Sequence, residues 1–435
     1  MVSQIIFAIV LIAAIVFFTK AVRKISRNIK LGKPFDRSDR SGDRWKAMFM
    51  VAIGQSKMVT RPFAGVLHIF VYAGFVIINI EVLEILIDGV AGTHRILSSF
   101  LGPFYTFLIS AFEFLAVAVA VSCAIFLIRR NIGKLKRFWS KEMTSWPRTD
   151  ANIILTTEIL LMCAFMLLDI SDTLIQRTSN PGYSGFYISN MLTGVLSGSS
   201  VSTLEFIEKF CWWFHIIGIL AFLNYIPYSK HFHIVLAFPN VYYSNLNPKG
   251  EFTNLASVTR EIKLMLDPNA AVAAPAETPA TPERFGAKDV FDLSGIQLMN
   301  AYSCTECGRC TSSCPANQTG KMLSPRKIMM DTRDRLEEVG KNIDKNGKFV
   351  DDGKSLLFNY ITPEEVWACT SCNACTEECP VNIDPLAIIV DLRRFLVMEQ
   401  SAAPQELALM MNNVENNGAP WQFPASDRLN WTTAL

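Results

Sequence analysis

Charge is scarce in this chain. Asp, Glu, Lys and Arg make up 18% of its 435 residues, against about 25% in an average soluble domain. Half of the residues are hydrophobic. A wholly soluble protein and a disordered one both fit this poorly. The net charge of +2 is too small for the electrostatic footprint of a nucleic-acid binder, so no nucleic-acid partner is expected. The chain has no nucleotide-cradling glycine loop, no flavin motif and no catalytic triad. Histidine is rare, with five residues, and no two cysteines are adjacent.

Long apolar runs are what the chain has instead. Five stretches, approximately 3–19, 62–88, 98–128, 151–176 and 203–228, come close to or exceed the roughly 20 helical residues that cross a bilayer. No basic residue precedes the first, and Lys20, Arg23, Lys24 and Arg27 follow it, which reads as an anchored helix rather than a cleaved signal peptide. Loop charge predicts the orientation. Residues 20–61 hold twelve Lys or Arg and residues 129–150 hold seven, whereas 89–97 and 177–202 hold one each, Arg95 and Arg177. The basic loops are expected in the cytoplasm, the N-terminus outside the inner membrane, and everything after residue 230 inside.

Eight of the eleven cysteines form two arrays, Cys304-x2-Cys307-x2-Cys310-x3-Cys314-Pro315 and Cys369-x2-Cys372-x2-Cys375-x3-Cys379-Pro380. This is the ferredoxin spacing for [4Fe–4S] clusters, in which the cysteine before proline turns away to the other cluster. Cys304, Cys307, Cys310 and Cys379 are therefore expected on one cluster, and Cys369, Cys372, Cys375 and Cys314 on the other. Zinc, which typically takes C-x2-C pairs, fits two complete copies poorly. Cysteines in the cytoplasm also favour metal over disulfides. Cys123, Cys163 and Cys211 fall in the apolar runs and read as packing residues.

Helix signals surround the arrays. Ser324 to Lys341 has helical composition, Thr362-Pro363-Glu364-Glu365 is a capping box, and Asp384-Pro385 opens a helix through about Met398. Residues 267–285 are an Ala/Pro-rich linker, preceded by a surface helix within Phe252 to Leu266. After about 401 the tail is polar and carries Trp421 and Trp431, which read either as anchors for a partner or as a wrap around the chain's own domain.

The histidines are His68, His94, His215, His231 and His233. Imidazole inside a membrane span is costly and marks a functional site by default. At about 100° per residue, His215 and His233 share one helix stripe, roughly 27 Å apart, with Pro227 between them. Haem b takes axial imidazoles from facing bundle helices. Glu81, Glu84, Glu113, Glu158 and Asp169 lie in or near spans, as proton sites, quinone sites or helix caps.

These residues carry a resemblance to known families. Phe214-His215 through Tyr225-Ile-Pro-Tyr-Ser-Lys-His-Phe-His233-Ile resembles the last membrane helix of respiratory nitrate reductase gamma subunits and of the heterodisulfide reductase membrane subunit. Gly65-Val-Leu-His68-Ile-Phe resembles their second helix. The resemblance implies a cytoplasm-side haem b on His68 and His233. Where that family has another histidine, ten residues after the first, this chain has Ile78. A second haem on His215 then needs His94, so one haem or two remain open, with His231 at the surface and not a ligand. Residues 290–400 resemble the α-helical ferredoxin of heterodisulfide reductase C subunits and of succinate dehydrogenase iron–sulfur subunits.

The expected architecture is all-α. A five-helix membrane cytochrome b domain (1–235) leads through a surface segment and linker (236–286) to an α-helical ferredoxin domain with two [4Fe–4S] clusters (287–400) and a tail (401–435). The expected function is electron transfer between a cytoplasmic redox partner, the clusters, haem b and membrane quinone as substrate. Related complexes carry substrate chemistry on another subunit, often one with CCG motifs, and this chain has none. A membrane redox sensor or scaffold without quinone turnover, or a ferredoxin anchor with structural histidines, are the competing readings.

Overall fold

Five long helices form where the apolar runs predict them. The computed structural model describes residues 1–267 and 284–433. The Ala/Pro stretch expected at 267–285 lies almost wholly outside the described residues. Among those residues there are helices and isolated bridges but no strand. The membrane helices are α1 (Val2–Ile29), α2 (Pro62–Ala91), α3 (Pro103–Asn131), α4 (Trp146–Ser179) and α5 (Val201–Tyr225). Each of α2, α3 and α4 has a proline in its first turn, where the missing N–H costs nothing. The Ser200 hydroxyl accepts from Thr203 N at 3.3 Å to open α5.

Two boundaries differ from expectation. The third span begins at Pro103, because Ile96–Leu101 is a separate short helix ended by Gly102. The first helix runs ten residues past its apolar stretch, and the extension carries Lys24 and Arg27 to Asp344 in the iron–sulfur half. α4 is the centre of the bundle and packs along both α3 and α5. Its close approach to α5 relies on Gly218, where a Cβ would meet Leu161 at 2.6 Å. Of the membrane cysteines, Cys123 and Cys211 are buried in the bundle and Cys163 is exposed on its surface.

α5 does not continue to His233. It breaks at Ile226–Tyr228 and Lys230–Phe232, two 3-10 turns separated by extended Ser229, and a new helix, α6 (His233–Tyr242), follows. Pro227 lacks the N–H that an α-helix needs there. The single stripe expected for His215 and His233 is therefore not formed.

The iron–sulfur half contains α7 (Gly295–Ser303), α8 (Pro325–Asn346), α9 (Pro385–Met398) and α10 (Gln405–Asn417). The predicted caps hold. Thr362 and Glu365 complete a reciprocal capping box, and Asp384 accepts from Ala387 N at 3.1 Å at the head of α9. One apolar core joins Leu298, Ile328, Leu336 and Leu392 of this half to Ile25, Ile154, Phe222 and Phe232 of the bundle. The cluster half is thus seated on one end of the bundle.

The two basic loops clasp it there. Arg309 donates to Lys57 O at 2.8 Å, and Arg61 pairs with Glu378 at 2.9 Å. Arg326, fully buried, pairs with Glu142 at 2.7 Å and donates to Arg137 O at 2.5 Å. Burial pushes the Glu142 carboxyl up, but the Arg326 guanidinium and the Ser324 hydroxyl outweigh that and hold it below its usual 4.5. A depressed carboxyl stabilises above its unfolded pKa and stops doing so as pH falls through the folded one. Acidification below about pH 4.5 is therefore expected to free the 132–145 loop, read by limited proteolysis. Arg326→Met is expected to free it already at neutral pH, at a cost of about 3 kcal/mol, because it leaves the half-buried Glu142 carboxylate with the Ser324 hydroxyl but without its cation. Equal cleavage of variant and wild type at neutral pH would contradict this.

Candidate functional site

The two cysteine arrays fold as structural copies. Glu306 (φ 55°) and Gly308 (φ 72°) take left-handed backbone in the first, and Ser371 (φ 56°) and Asn373 (φ 60°) take it in the second. Glycine and asparagine are the residues that tolerate this region best. At Gly308 a Cβ would also sit 2.5 Å from Arg326 Nη1. Each loop runs into a short helix, Arg309–Ser313 or Ala374–Glu378, and these two helices pack against each other. That contact brings the end of each array to the start of the other.

The sulfurs of the two arrays come together between these helices. Cys304, Cys307, Cys310 and Cys379 line one cavity, which Cys375 also borders. Burial pushes the Cys379 thiol up to about 12, with Cys307 and Cys304 as nearby negative neighbours. Cys369 lies instead within electrostatic reach of Cys314 and Cys372, and Cys375 within reach of Cys369. Burial likewise raises Cys304 to about 11 and Cys375 to about 12. Buried thiols with raised pKa values need a cation to ionise, which bound iron would supply. Tetrahedral zinc at about 2.3 Å would draw its sulfurs to roughly 3.8 Å from one another. Among the described residues no three cysteine sulfurs lie within 4.8 Å of one another. The donor sets fit a polynuclear cluster better than a single ion.

Peptide N–H groups also address the sulfurs. Ser371 N donates to Cys369 Sγ at 3.4 Å and Ile383 N to Cys379 Sγ at 3.3 Å. Such bonds tune cluster potential. Access differs along the arrays: Cys304, Cys307, Cys310 and Cys379 are buried or half-buried, whereas Cys372 is exposed beside Lys249 and Glu377.

A bonded link joins the first array to the histidines. Buried Glu306, between Cys304 and Cys307, pairs with Lys230 Nζ and with Arg333 at 2.7 Å. The Lys230 carbonyl in turn holds His233 Nδ1 at 3.1 Å. His233 therefore presents Nε2 as its free nitrogen. His68 lies within electrostatic reach of His233, and its buried Nδ1 has no hydrogen-bond partner. Two imidazoles with unused nitrogens within electrostatic reach of each other are donors of the kind that a haem iron takes.

His231 is closer to this pair than its expected place at the surface, apart from His233. The 3-10 turn brings the two rings to 5.5 Å, and His231 packs on Phe222 at 5.4 Å. His215 is buried further along α5, with Nδ1 3.0 Å from Leu161 O and its ring 6.0 Å from Phe165. His94, more than half exposed, lies at the opposite end of the bundle, 3.4 Å from Glu208 and 3.9 Å from Asp172. Among the acids, Glu113 caps the short helix at Tyr187 by accepting from Ile188 N and Ser189 N at 2.7 and 3.0 Å.

Comparison with known proteins identifies the region of the cysteine arrays. Residues 300–383 match the 4Fe-4S dicluster domain family. The chain is 28% identical to a probable iron-sulfur-binding oxidoreductase, FadF, of Bacillus subtilis, over 99% of this chain and 60% of the relative. It is 25% identical to the EtfAB:quinone oxidoreductase of Syntrophomonas wolfei, over 98% of this chain and 59% of the relative. One subunit of the ferredoxin/F(420)H(2)-dependent CoB-CoM heterodisulfide reductase of Methanosarcina acetivorans is 30% identical over 27% of this chain and 60% of its own length. No solved structure matches. The chain spans about 60% of the length of these first two relatives. Its homologues are thus iron–sulfur oxidoreductases and heterodisulfide reductase subunits, and it joins five membrane-length helices to a 4Fe-4S dicluster domain.

Proposed function

We propose that the chain is a membrane electron-transfer subunit linking a redox partner on the iron–sulfur side to the membrane quinone pool. The observation that carries this is the link His233–Lys230–Glu306, which ties the candidate haem ligand to the loop of the first cysteine array. Haem b, held by His68 and His233, would supply one-electron exchange between iron–sulfur and quinone chemistry. The protein's own part is orientation: Lys230 fixes the His233 ring, and the packed short helices fix the two cysteine sets relative to each other. We propose one haem. His94 is engaged by carboxylates, which favours a different role for it, and the Leu161 bond explains a buried His215 without iron.

The crossed assignment gives the two clusters different roles. Cys304, Cys307, Cys310 and Cys379 form the site next to the histidines. Cys314, Cys369, Cys372 and Cys375 form the site that a soluble partner reaches, at exposed Cys372. That partner is proposed to be a separate protein of the CCG-motif type, which carries the substrate chemistry. Both basic loops lie at the iron–sulfur end, which supports a cytoplasmic iron–sulfur domain on the inner membrane and an external N-terminus. Domain limits of 1–235, 236–286, 287–400 and 401–435 follow this division.

The test is a reduced-minus-oxidised spectrum of the anaerobically purified chain, with haem and iron assays. About one b haem and about eight non-haem irons per chain are expected. His68→Ala and His233→Ala are expected to abolish the haem band and keep the iron, whereas His231→Ala keeps both. Clusters without haem in the wild type would overturn the quinone link and favour a redox sensor.

A further inference from the structure

The end of the bundle away from the iron–sulfur half holds an unusual number of buried charges. Glu84 and Asp88 have structural work there. Glu84 accepts from Leu97 N and from the Tyr105 hydroxyl, both at 2.9 Å, and Asp88 accepts from Arg95 N at 2.7 Å. Arg95 reaches Asp169 at 2.6 Å and Asp172 at 2.9 Å. Two carboxylate oxygens are left over. Glu81 Oε2 and Asp169 Oδ2 are buried without a hydrogen-bond partner, and the residues are 4% and 0% exposed. Glu81 faces Asp169 and Arg95, with Glu84 and Glu113 also within electrostatic reach.

The surroundings lead outward. Asp172 is 3.9 Å from His94, and His94 is 3.4 Å from Glu208 and half open to solvent. The Glu208 carboxylate holds the His94 pKa above its ordinary value. A polar chain therefore runs from two acids inside the bundle, each with one unpartnered oxygen, to the surface.

We propose that Glu81 and Asp169 form a proton-exchange site that opens through Arg95, Asp172 and His94 to the face opposite the iron–sulfur domain. Arg95 is a cation placed among these carboxylates. Excess negative charge in hydrocarbon is expensive, and carboxylates that share a site relieve it by holding a proton between them. No fold contact explains Glu81 Oε2, whereas a proton-carrying acid needs an oxygen that is free. The inference rests on the quinone reading. Quinone reduction takes two electrons, from a one-electron donor on the iron–sulfur side, and two protons, one forming an O–H bond at each carbonyl oxygen. Quinol oxidation returns both. The site serves the proton side of that balance.

The experiment uses the full chain, with Glu81→Gln, Asp169→Asn and Glu81→Asp, reduced by dithionite and reoxidised by duroquinone in stopped flow. Infrared pH titration of the same samples gives a second readout that needs no quinone. Glu81→Gln and Asp169→Asn are expected to slow reoxidation about 100-fold, the scale of a lost proton donor, and Glu81→Asp to restore most of it. A carboxylic C=O band that shifts in D2O is expected in the wild type and absent in Glu81→Gln. Thermal melting checks the fold, and Glu81→Gln removes no hydrogen bond at Oε2. Variants that keep both the wild-type rate and the band would overturn the proposal. If wild type fails to reduce duroquinone while the band is still lost in Glu81→Gln, the quinone reading fails and the proton site stands.

Discussion

Cys379→Ala is expected to destroy the cluster of the first array, not that of its own. Non-haem iron should fall from about eight to about four per chain. The magnetic resonance signal that disappears should be the one lost in Cys304→Ala, while Cys314→Ala should match Cys369→Ala. The reason is geometric. Cys379 lies in the cavity with Cys304, Cys307 and Cys310, and its thiol senses Cys307 and Cys304. The short helices that follow the two loops pack against each other, which brings Cys379 near Cys304 and Cys307, and Cys314 near Cys369. Metal ligation is also folding energy, so each variant should lower the stability of the iron–sulfur half as well as its iron content. Cys379→Ala and Cys369→Ala removing the same signal would show that each array serves its own cluster and would break the assignment.

Much of the frame is legible in the sequence because its causes are local. Apolar runs place five helices to within a few residues at most ends. Asp384-Pro385 and Thr362-Pro363-Glu364-Glu365 set helix starts because a cap needs only three or four neighbouring residues. The all-α class and the dicluster region are legible for the same reason. The rest depends on contacts across long sequence separations. The ten-residue extension of α1 is held by Asp344, more than 300 residues away. Nothing in the basic run Lys20–Arg27 names that partner. Pro227 hints at the break after Tyr225, but the recoil that brings His231 to His233 depends on Ser229 and Lys230 binding Asp150. An acid in a basic loop carries no mark that it will hold a helix turn from below. Arg326 and Glu306 look like surface residues of a polar stretch, and both are buried interface partners. His94 suggests itself as a haem partner because it is one of few histidines on its side. Glu208, one of its neighbours in space, is 114 residues away in sequence.

Lys230→Met is expected to loosen the junction between bundle and cluster domain by about 3 kcal/mol, the scale for breaking a buried ion pair. Lys230 is nine-tenths buried and does three things at once. Its ammonium pairs with Glu306 and donates to Pro147 O at 2.5 Å, its amide donates to Asp150 at 3.1 Å, and its carbonyl holds His233. The variant keeps the backbone bonds and the aliphatic volume but removes the charge. Glu306 is then left with Arg333 on one side and hydrocarbon on the other. At about 1.4 kcal/mol per tenfold, amides of Ile226–His233 should exchange roughly 100-fold faster by local opening. The reduced haem band should shift or broaden as the loosened turn moves the Lys230 carbonyl that orients the His233 ring, while iron content stays at the wild-type level. Lys230→Arg, which retains the charge, should recover part of both effects. Neither faster exchange nor a spectral change in Lys230→Met would mean that the junction is held by the apolar core alone, and that the link from His233 to the first array is incidental.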